Sequence, residues 1–120
     1  GHVYVYLIYG MYECLNFTTE RKEAGAVLVR AVEPLKGINK MKRNRKTEKI
    51  DNLCSGPGKL CQAFGITRKL NGLKLGKEVK VYDDGHIVEK IVSSSRIGIQ
   101  DALELQWRFY IEGNEFVSRK

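Results

Sequence analysis

Four of the six tyrosines crowd the start of the chain, at Tyr4, Tyr6, Tyr9 and Tyr12. Aromatic residues favour strands and fill cores, and that account serves for Tyr4 and Tyr12. Tyr9 is different, because Gly10 beside it marks the mouth of a chain reversal. A large flat ring at a protruding tip is costly to leave in water unless it stacks on something. In a basic chain the natural partner is a nucleobase step. Arg30 is the second residue its surroundings do not explain. It lies inside Ala26-Val27-Leu28-Val29-Arg30-Ala31-Val32, where the neighbours ask for burial and the charge resists it. Either the strand ends there and the guanidinium snorkels to solvent, or the charge sits at a pocket floor within a hydrogen-bond network. Asn16 shares the ambiguity, its plainer role being a turn or strand edge.

Gly56-Pro57-Gly58-Lys59 resembles a phosphate-cradling loop, but the nucleotide P-loop pattern fails. Leu53 stands where the first glycine is required, and Leu60 replaces the Ser or Thr that would reach magnesium. What remains is either an ordinary helix start or a helix N-terminus beside a lysine, suited to a backbone phosphate. The cysteines, Cys14, Cys54 and Cys61, are odd in number and form no CxxC, and the histidines are only His2 and His86. These counts argue against a disulfide scaffold and a Cys/His zinc site, and for a reducing, intracellular compartment.

The elements that must position these groups fit within 120 residues, enough for one core. Apolar residues at 42% and charged residues at 29% describe a globular chain, and the net charge of +7 favours a polyanionic partner. No run approaches the roughly 20 apolar residues of a membrane span. His2–Ile8 reads as a strand buried on both sides, with Val3, Val5 and Leu7 on one face and Tyr4, Tyr6 and Ile8 on the other. A tight reversal at Tyr9-Gly10-Met11-Tyr12 leads to a second strand over Glu13–Thr18, and Ala26–Val32 follows as a third. Leu35, Ile38 and Met41, spaced three apart, predict a basic helical stretch. Between Lys36 and Lys49 stand seven Lys or Arg and one Glu, and Arg43–Asp51 reads as a mobile solvated loop. A short helix is expected at Lys59–Phe64, a hairpin at Val79–Tyr82 and Ile87–Val92 around Asp83-Asp84-Gly85, and closing strand pieces at Trp107–Ile111 and Phe116–Val117. The fold class expected is α+β: a single domain with a mainly antiparallel curved β-sheet, a protruding β-hairpin and a few short helices.

Longer motifs make the reading specific. Gly1-His2-Val3-Tyr4-Val5-Tyr6-Leu7-Ile8-Tyr9-Gly10-Met11-Tyr12, with Asn16 following, resembles the hairpin of the alkyladenine (3-methyladenine) DNA glycosylase family. Val29-Arg30-Ala31-Val32-Glu33-Pro34-Leu35, Leu53-Cys54-Ser55-Gly56-Pro57-Gly58-Lys59-Leu60-Cys61-Gln62-Ala63, Arg96-Ile97-Gly98-Ile99, Trp107-Arg108-Phe109-Tyr110 and Phe116-Val117-Ser118 agree in order. The resemblance implies a monomeric base-excision repair enzyme that flips alkylated or deaminated purines out of double-stranded DNA. It would hydrolyse the N-glycosidic bond with no metal or organic cofactor and no membrane partner. By motif match, Tyr9, with Met11 beside it, would be the wedge that fills the vacated stack. Tyr6 would stack on the extruded base, and Asn16 would line the pocket and reject the guanine amino group. Arg30 would help hold the attacking water, together with the main chain near Ile97. Lys59 and Arg68 would touch backbone phosphate. If Tyr6 and Asn16 line one pocket, the turn must exceed two residues. A Gly10-Met11 turn puts Tyr6 opposite Leu15, whereas a Gly10-Met11-Tyr12 loop puts it opposite Asn16.

The family's general-base glutamate sits in a Thr-Glu-Ala-Tyr stretch upstream of the hairpin, and no such stretch occurs in this sequence. Glu13 and Glu20 do not match it. Residues 1–120 are therefore expected to be a glycosylase domain incomplete at its N-terminal side, poor in catalysis alone but retaining DNA affinity. The alternatives are a non-catalytic DNA-binding module that keeps the wedge and, resting on charge and aromatics only, a small β-rich RNA-binding domain.

Overall fold

The structure is a computed structural model, and it describes residues 1–20, 22, 24–97 and 104–118. Gly98 and Ile99 of the Arg96-Ile97-Gly98-Ile99 motif lie outside the described residues. Strands β1 (Val3–Ile8), β2 (Tyr12–Thr18) and β3 (Ala26–Leu28) form one antiparallel sheet in that order. Helix α1 (Ile38–Arg45) and helix α2 (Pro57–Phe64) follow, separated by a 3-10 turn at Ile50–Asn52. A second 3-10 turn occupies Arg68–Leu70. Strands β4 (Ile91–Ser94) and β5 (Arg108–Ile111) pair antiparallel in a separate two-stranded sheet. The α+β class with antiparallel pairing is as expected, but the strands divide between two sheets.

The core gathers Val3, Val5 and Leu15 from the first sheet against Met41 of α1, Leu60, Cys61 and Ala63 of α2, and Leu53-Cys54 from the segment between them. The β-branched Val3 and Val5 suit a pleated strand, and their two-residue spacing puts both on the core face. Burying an aliphatic side chain of this size contributes on the order of 1.5–3 kcal/mol. The expectation that β1 is buried on both sides is corrected, since Tyr4 and Leu7 are exposed. Helix α2 starts at Pro57, whose missing N–H falls where a helix donor is unpaired anyway, and stops at Gly65 with φ 70°.

Four further expectations are corrected. The third strand ends at Leu28 rather than Val32, and beyond it the Val29 N–H donates to the Leu15 carbonyl at 3.0 Å. Of the stretch expected to be a loop over 43–51, the first three residues instead complete α1 through Arg45 and Ile50-Asp51 enter the first 3-10 turn, while 46–49 lie in no helix or strand. The cause is Arg45, which binds the carbonyls of Leu53 (3.0 Å) and Asn52 (3.2 Å) and the Gln62 side chain (2.9 Å). The hairpin over 79–92 does not form. Asp83 and Asp84 instead cap their own backbone, accepting from Gly85 N–H (2.8 Å) and His86 N–H (2.9 Å). Ile91-Val92 goes to β4 and finds its partner in β5. Phe116-Val117 is a turn built on Asn114, not a strand.

Candidate functional site

The first sheet presents the chemistry-bearing residues. Between β1 and β2 the loop is Tyr9–Met11, with Ile8 opposite Tyr12. The Met11 N–H donates to the Ile8 carbonyl at 3.2 Å, and Tyr9 (φ 55°) and Gly10 (φ 68°) both lie in the left-handed region. Two consecutive positive-φ residues match the twist of an antiparallel ribbon. Glycine adopts that geometry freely, whereas a tyrosine there costs on the order of 1–2 kcal/mol. The strained residue is also bare: Tyr9 is 78% exposed and Met11 66%. The fold thus spends backbone strain to hold an aromatic ring and a thioether out in water.

The loop exceeds two residues, yet it sits one residue earlier than the sequence reading placed it. Tyr6 faces Cys14, and Asn16 faces Tyr4. Relative to the expected Tyr6–Asn16 pair the register has moved by two residues, and an even shift preserves the face. Tyr4, Tyr6, Cys14 and Asn16 therefore share one face of the ribbon, with Leu28 of β3 opposite Asn16.

On that face the Tyr4 and Tyr6 rings stand 5.4 Å apart at 37°. Burial pushes the Tyr6 phenol pKa up, and the neighbouring Cys14 adds to the rise. Burial likewise raises the Cys14 thiol, against smaller opposing effects of Tyr6 and of Arg30. The Arg30 charge is thus felt at Cys14 from a half-buried position two residues past β3. Asn16 is 5% exposed, and its Nδ2 donates to the carbonyls of Tyr4 and Cys14, both at 3.3 Å. Those bonds fix the amide plane by the backbone of both strands. Cys14 and Asn16 are buried on this face, while Tyr4 is exposed. Of two cavities among the described residues, one of about 590 Å³ lies around Lys42, Arg43 and Lys46, the other of about 410 Å³ around His2 and Lys74, and neither is lined by Tyr4, Tyr6, Cys14 or Asn16.

Lys59 stands in the first turn of α2, exposed, with its Nζ donating to Asn52 Oδ1 at 2.9 Å. Ser55 Oγ donates to the same oxygen at 3.3 Å. A Cβ on Gly58 would lie 3.0 Å from Cδ1 of Tyr12, so this end of α2 closes directly on the hairpin. Arg68, in the second 3-10 turn, reaches back to the hairpin too, its Nε 3.9 Å from Glu13 Oε1. Ile97 is half-buried just after β4, in the part of the chain that forms the second sheet. The structure therefore brings Tyr6, Asn16 and Arg30 together, sets Tyr9 and Met11 at the adjoining tip, and holds Lys59 and Arg68 beside the hairpin. Ile97 is not joined to them by any hydrogen bond among the described residues. The sequence reading missed Cys14, which a correct turn position would have placed opposite Tyr6, and Asn52, which no local pattern marks.

Comparison with known proteins gives this arrangement a family. The family model described as methylpurine-DNA glycosylase matches residues 1–115. A protein of Alkaliphilus oremlandii (strain OhILAs) is 47% identical over 100% of this chain and 66% of its own length. One from Clostridium perfringens (strain SM101 / Type A) is 46% identical, again over 100% and 66%. One from Agrobacterium fabrum (strain C58 / ATCC 33970) is 46% identical over 100% of this chain and 61% of its own. All three carry the name "Putative 3-methyladenine DNA glycosylase". The chain spans 66% of the length of the first two and less of the third. On the profile match and on these identities, the chain belongs to the methylpurine-DNA glycosylase family.

Proposed function

We propose that this chain, within its full-length protein, flips damaged purines from duplex DNA and hydrolyses their N-glycosidic bond. The observation that carries the reading is the pairing of a strained, exposed ring at the hairpin tip with an aromatic and amide face directly behind it. Flipping costs a few kcal/mol of unpairing and unstacking, so something must occupy the gap and something must receive the base. Tyr9, flanked by Met11, supplies the first. Tyr6 supplies a stacking surface, and Asn16 supplies an amide held rigid enough to tell one purine edge from another. By the family resemblance, Arg30 holds the attacking water, a role shared with the main chain near Ile97 only if the second sheet's end of the chain reaches this face, and Lys59 and Arg68 take backbone phosphates.

In the reaction, water oxygen bonds to C1′ of the deoxyribose as the C1′–N9 bond breaks, and the pair of electrons leaves with the purine. A purine made cationic by alkylation departs as a neutral base, so the remaining demand is a group to accept the proton of water. None of the β1 and β2 residues on the Tyr6 face is acidic. We assign that carboxylate to no residue of this sequence, because none matches the family's Thr-Glu-Ala-Tyr stretch. Its assistance is worth roughly 10²–10⁴-fold. The same absence favours, for the 120 residues taken alone, the second reading: a DNA-binding module without chemistry. Single-turnover excision from a hypoxanthine- or 3-methyladenine-containing duplex by the full-length protein tests the proposal. Release of free base supports it, and tight binding without release supports the second reading.

A further inference from the structure

We infer that Asn52 is a positioning residue for the DNA-phosphate contact of Lys59: its amide oxygen holds the ammonium in place, and its neutrality leaves the charge for the phosphate. The inference rests on the reading of Lys59 as a phosphate ligand. Asn52 is itself held from several directions. Its backbone N–H donates to the Lys49 carbonyl at 3.1 Å, and its own carbonyl accepts from Arg45 at 3.2 Å. Its Oδ1 accepts from Lys59 Nζ at 2.9 Å and from the buried Ser55 hydroxyl at 3.3 Å. Chemistry fixes the orientation of that amide, because an ammonium only donates and must face the oxygen. The Lys59 stem is guided as well, since a Cβ on Gly56 would lie 3.6 Å from its Cδ. A long side chain steered at stem and head has already given up much of the rotamer freedom that gripping a phosphate would cost. One of its three N–H donors goes to Asn52, which leaves two for phosphate oxygens.

That residue 52 is an amide and not an acid bears on the partner. Lys59 is the third residue of α2, whose first turn carries no acidic residue, so a cation stands at the positive end of a helix. A carboxylate at 52 would relieve that in the free protein and neutralise the ammonium. The amide tethers it and leaves the want of negative charge to be met by an incoming anion.

The experiment measures duplex affinity against salt for the full-length protein and its variants Asn52→Asp, Asn52→Ala, Lys59→Ala and the double variant Asn52→Ala with Lys59→Ala. Aspartate matches asparagine in shape and still accepts from Ser55 and Lys59, so it changes the charge while keeping the contacts. Expected for Asn52→Asp is a log–log salt slope flatter by about one, like that of Lys59→Ala although the lysine is still present. Asn52→Ala should keep the parental slope but bind roughly threefold to tenfold more weakly, the loss proper to one hydrogen bond. In the Lys59→Ala background the same substitution should cost nothing further. A parental slope in Asn52→Asp, or equal losses from Asn52→Ala with and without Lys59, would overturn the inference. An unchanged slope in Lys59→Ala would instead sink the phosphate reading of Lys59. In that case the hold still stands or falls on nitrogen NMR relaxation of the Lys59 ammonium, which should be ordered in the parent and mobile in Asn52→Ala. Equal mobility in the two would refute it.

Discussion

At the scale of single residues, the exposed tip separates function from stability. Tyr9 is mostly exposed and its backbone is strained, so Tyr9→Ala should leave thermal melting of the full-length protein within about 1 kcal/mol of the parent. Excision should nevertheless fall roughly tenfold to hundredfold, because stacking on a base is worth ~1–3 kcal/mol. Equal excision by parent and Tyr9→Ala would remove the wedge from the mechanism. The buried thiols make a different demand. Cys61 is pushed up to about 11 from an ordinary 9.0, chiefly by burial, and Cys14 and Cys54 rise in the same direction. A thiol that ionises later when folded lets the unfolded chain release its proton first. The stability it contributes is intact below pH 9 and is lost as pH climbs from 9 towards 11. Urea midpoints measured across that window should fall for the parent and fall less for Cys61→Ala. Parallel curves would show that another group governs the alkaline limit.

At the scale of elements, the sequence was most readable where period and punctuation agreed. The alternation of Val3 and Val5, the break at Gly10 and the helix expected at Lys59–Phe64 each stated their structure locally, and all three elements formed, the helix starting two residues earlier, at Pro57. What escaped was set by partners distant in sequence. The run around Arg45 looked solvated because it lacks apolar residues, yet that side chain ties α1 to the Asn52-Leu53 carbonyls and to Gln62 of α2. Ile87–Val92 looked like half of a hairpin because Asp83-Asp84-Gly85 is turn-like, but the aspartates close onto their own backbone and β4 pairs with β5, Ser94 standing opposite Arg108. Of the candidate site, the types were legible and the register was not, since one residue of turn position decides whether Cys14 or Asn16 faces Tyr6. The Arg45 geometry carries its own prediction. Arg45→Ala strands two backbone carbonyls and should cost about 2–3 kcal/mol in urea unfolding of the full-length protein. Arg45→Lys should recover little, because one ammonium cannot span three acceptors in a fork. A cost below about 0.5 kcal/mol would make the contact ornamental.

At the scale of the whole molecule, the net charge of +7 matters less than where the cations stand. Each phosphate that a Lys or Arg neutralises releases condensed counterions and steepens the fall of affinity with salt by about 0.9 in the log–log slope. Lys59 and Arg68 both sit beside the hairpin, but they are not equivalent. The Lys59 ammonium is held by Asn52, a neutral amide, so its whole charge remains to be spent on a phosphate. Arg68 lies 3.9 Å from the Glu13 carboxylate, which already draws on part of its field. That pair is long and the Arg68 side chain largely exposed, so water screens it and the discount is small, but its sign is fixed. Lys59→Ala in the full-length protein should therefore flatten the salt slope for duplex binding by about one, and Arg68→Ala by somewhat less. Neither should change the preference for damaged over undamaged duplex, because backbone contacts position a protein without reading bases. Titrating both variants between low and moderate salt against the same duplex checks the order. A larger change from Arg68 than from Lys59 would mean that DNA pulls Arg68 off Glu13 and that the ion pair is a resting contact which binding breaks.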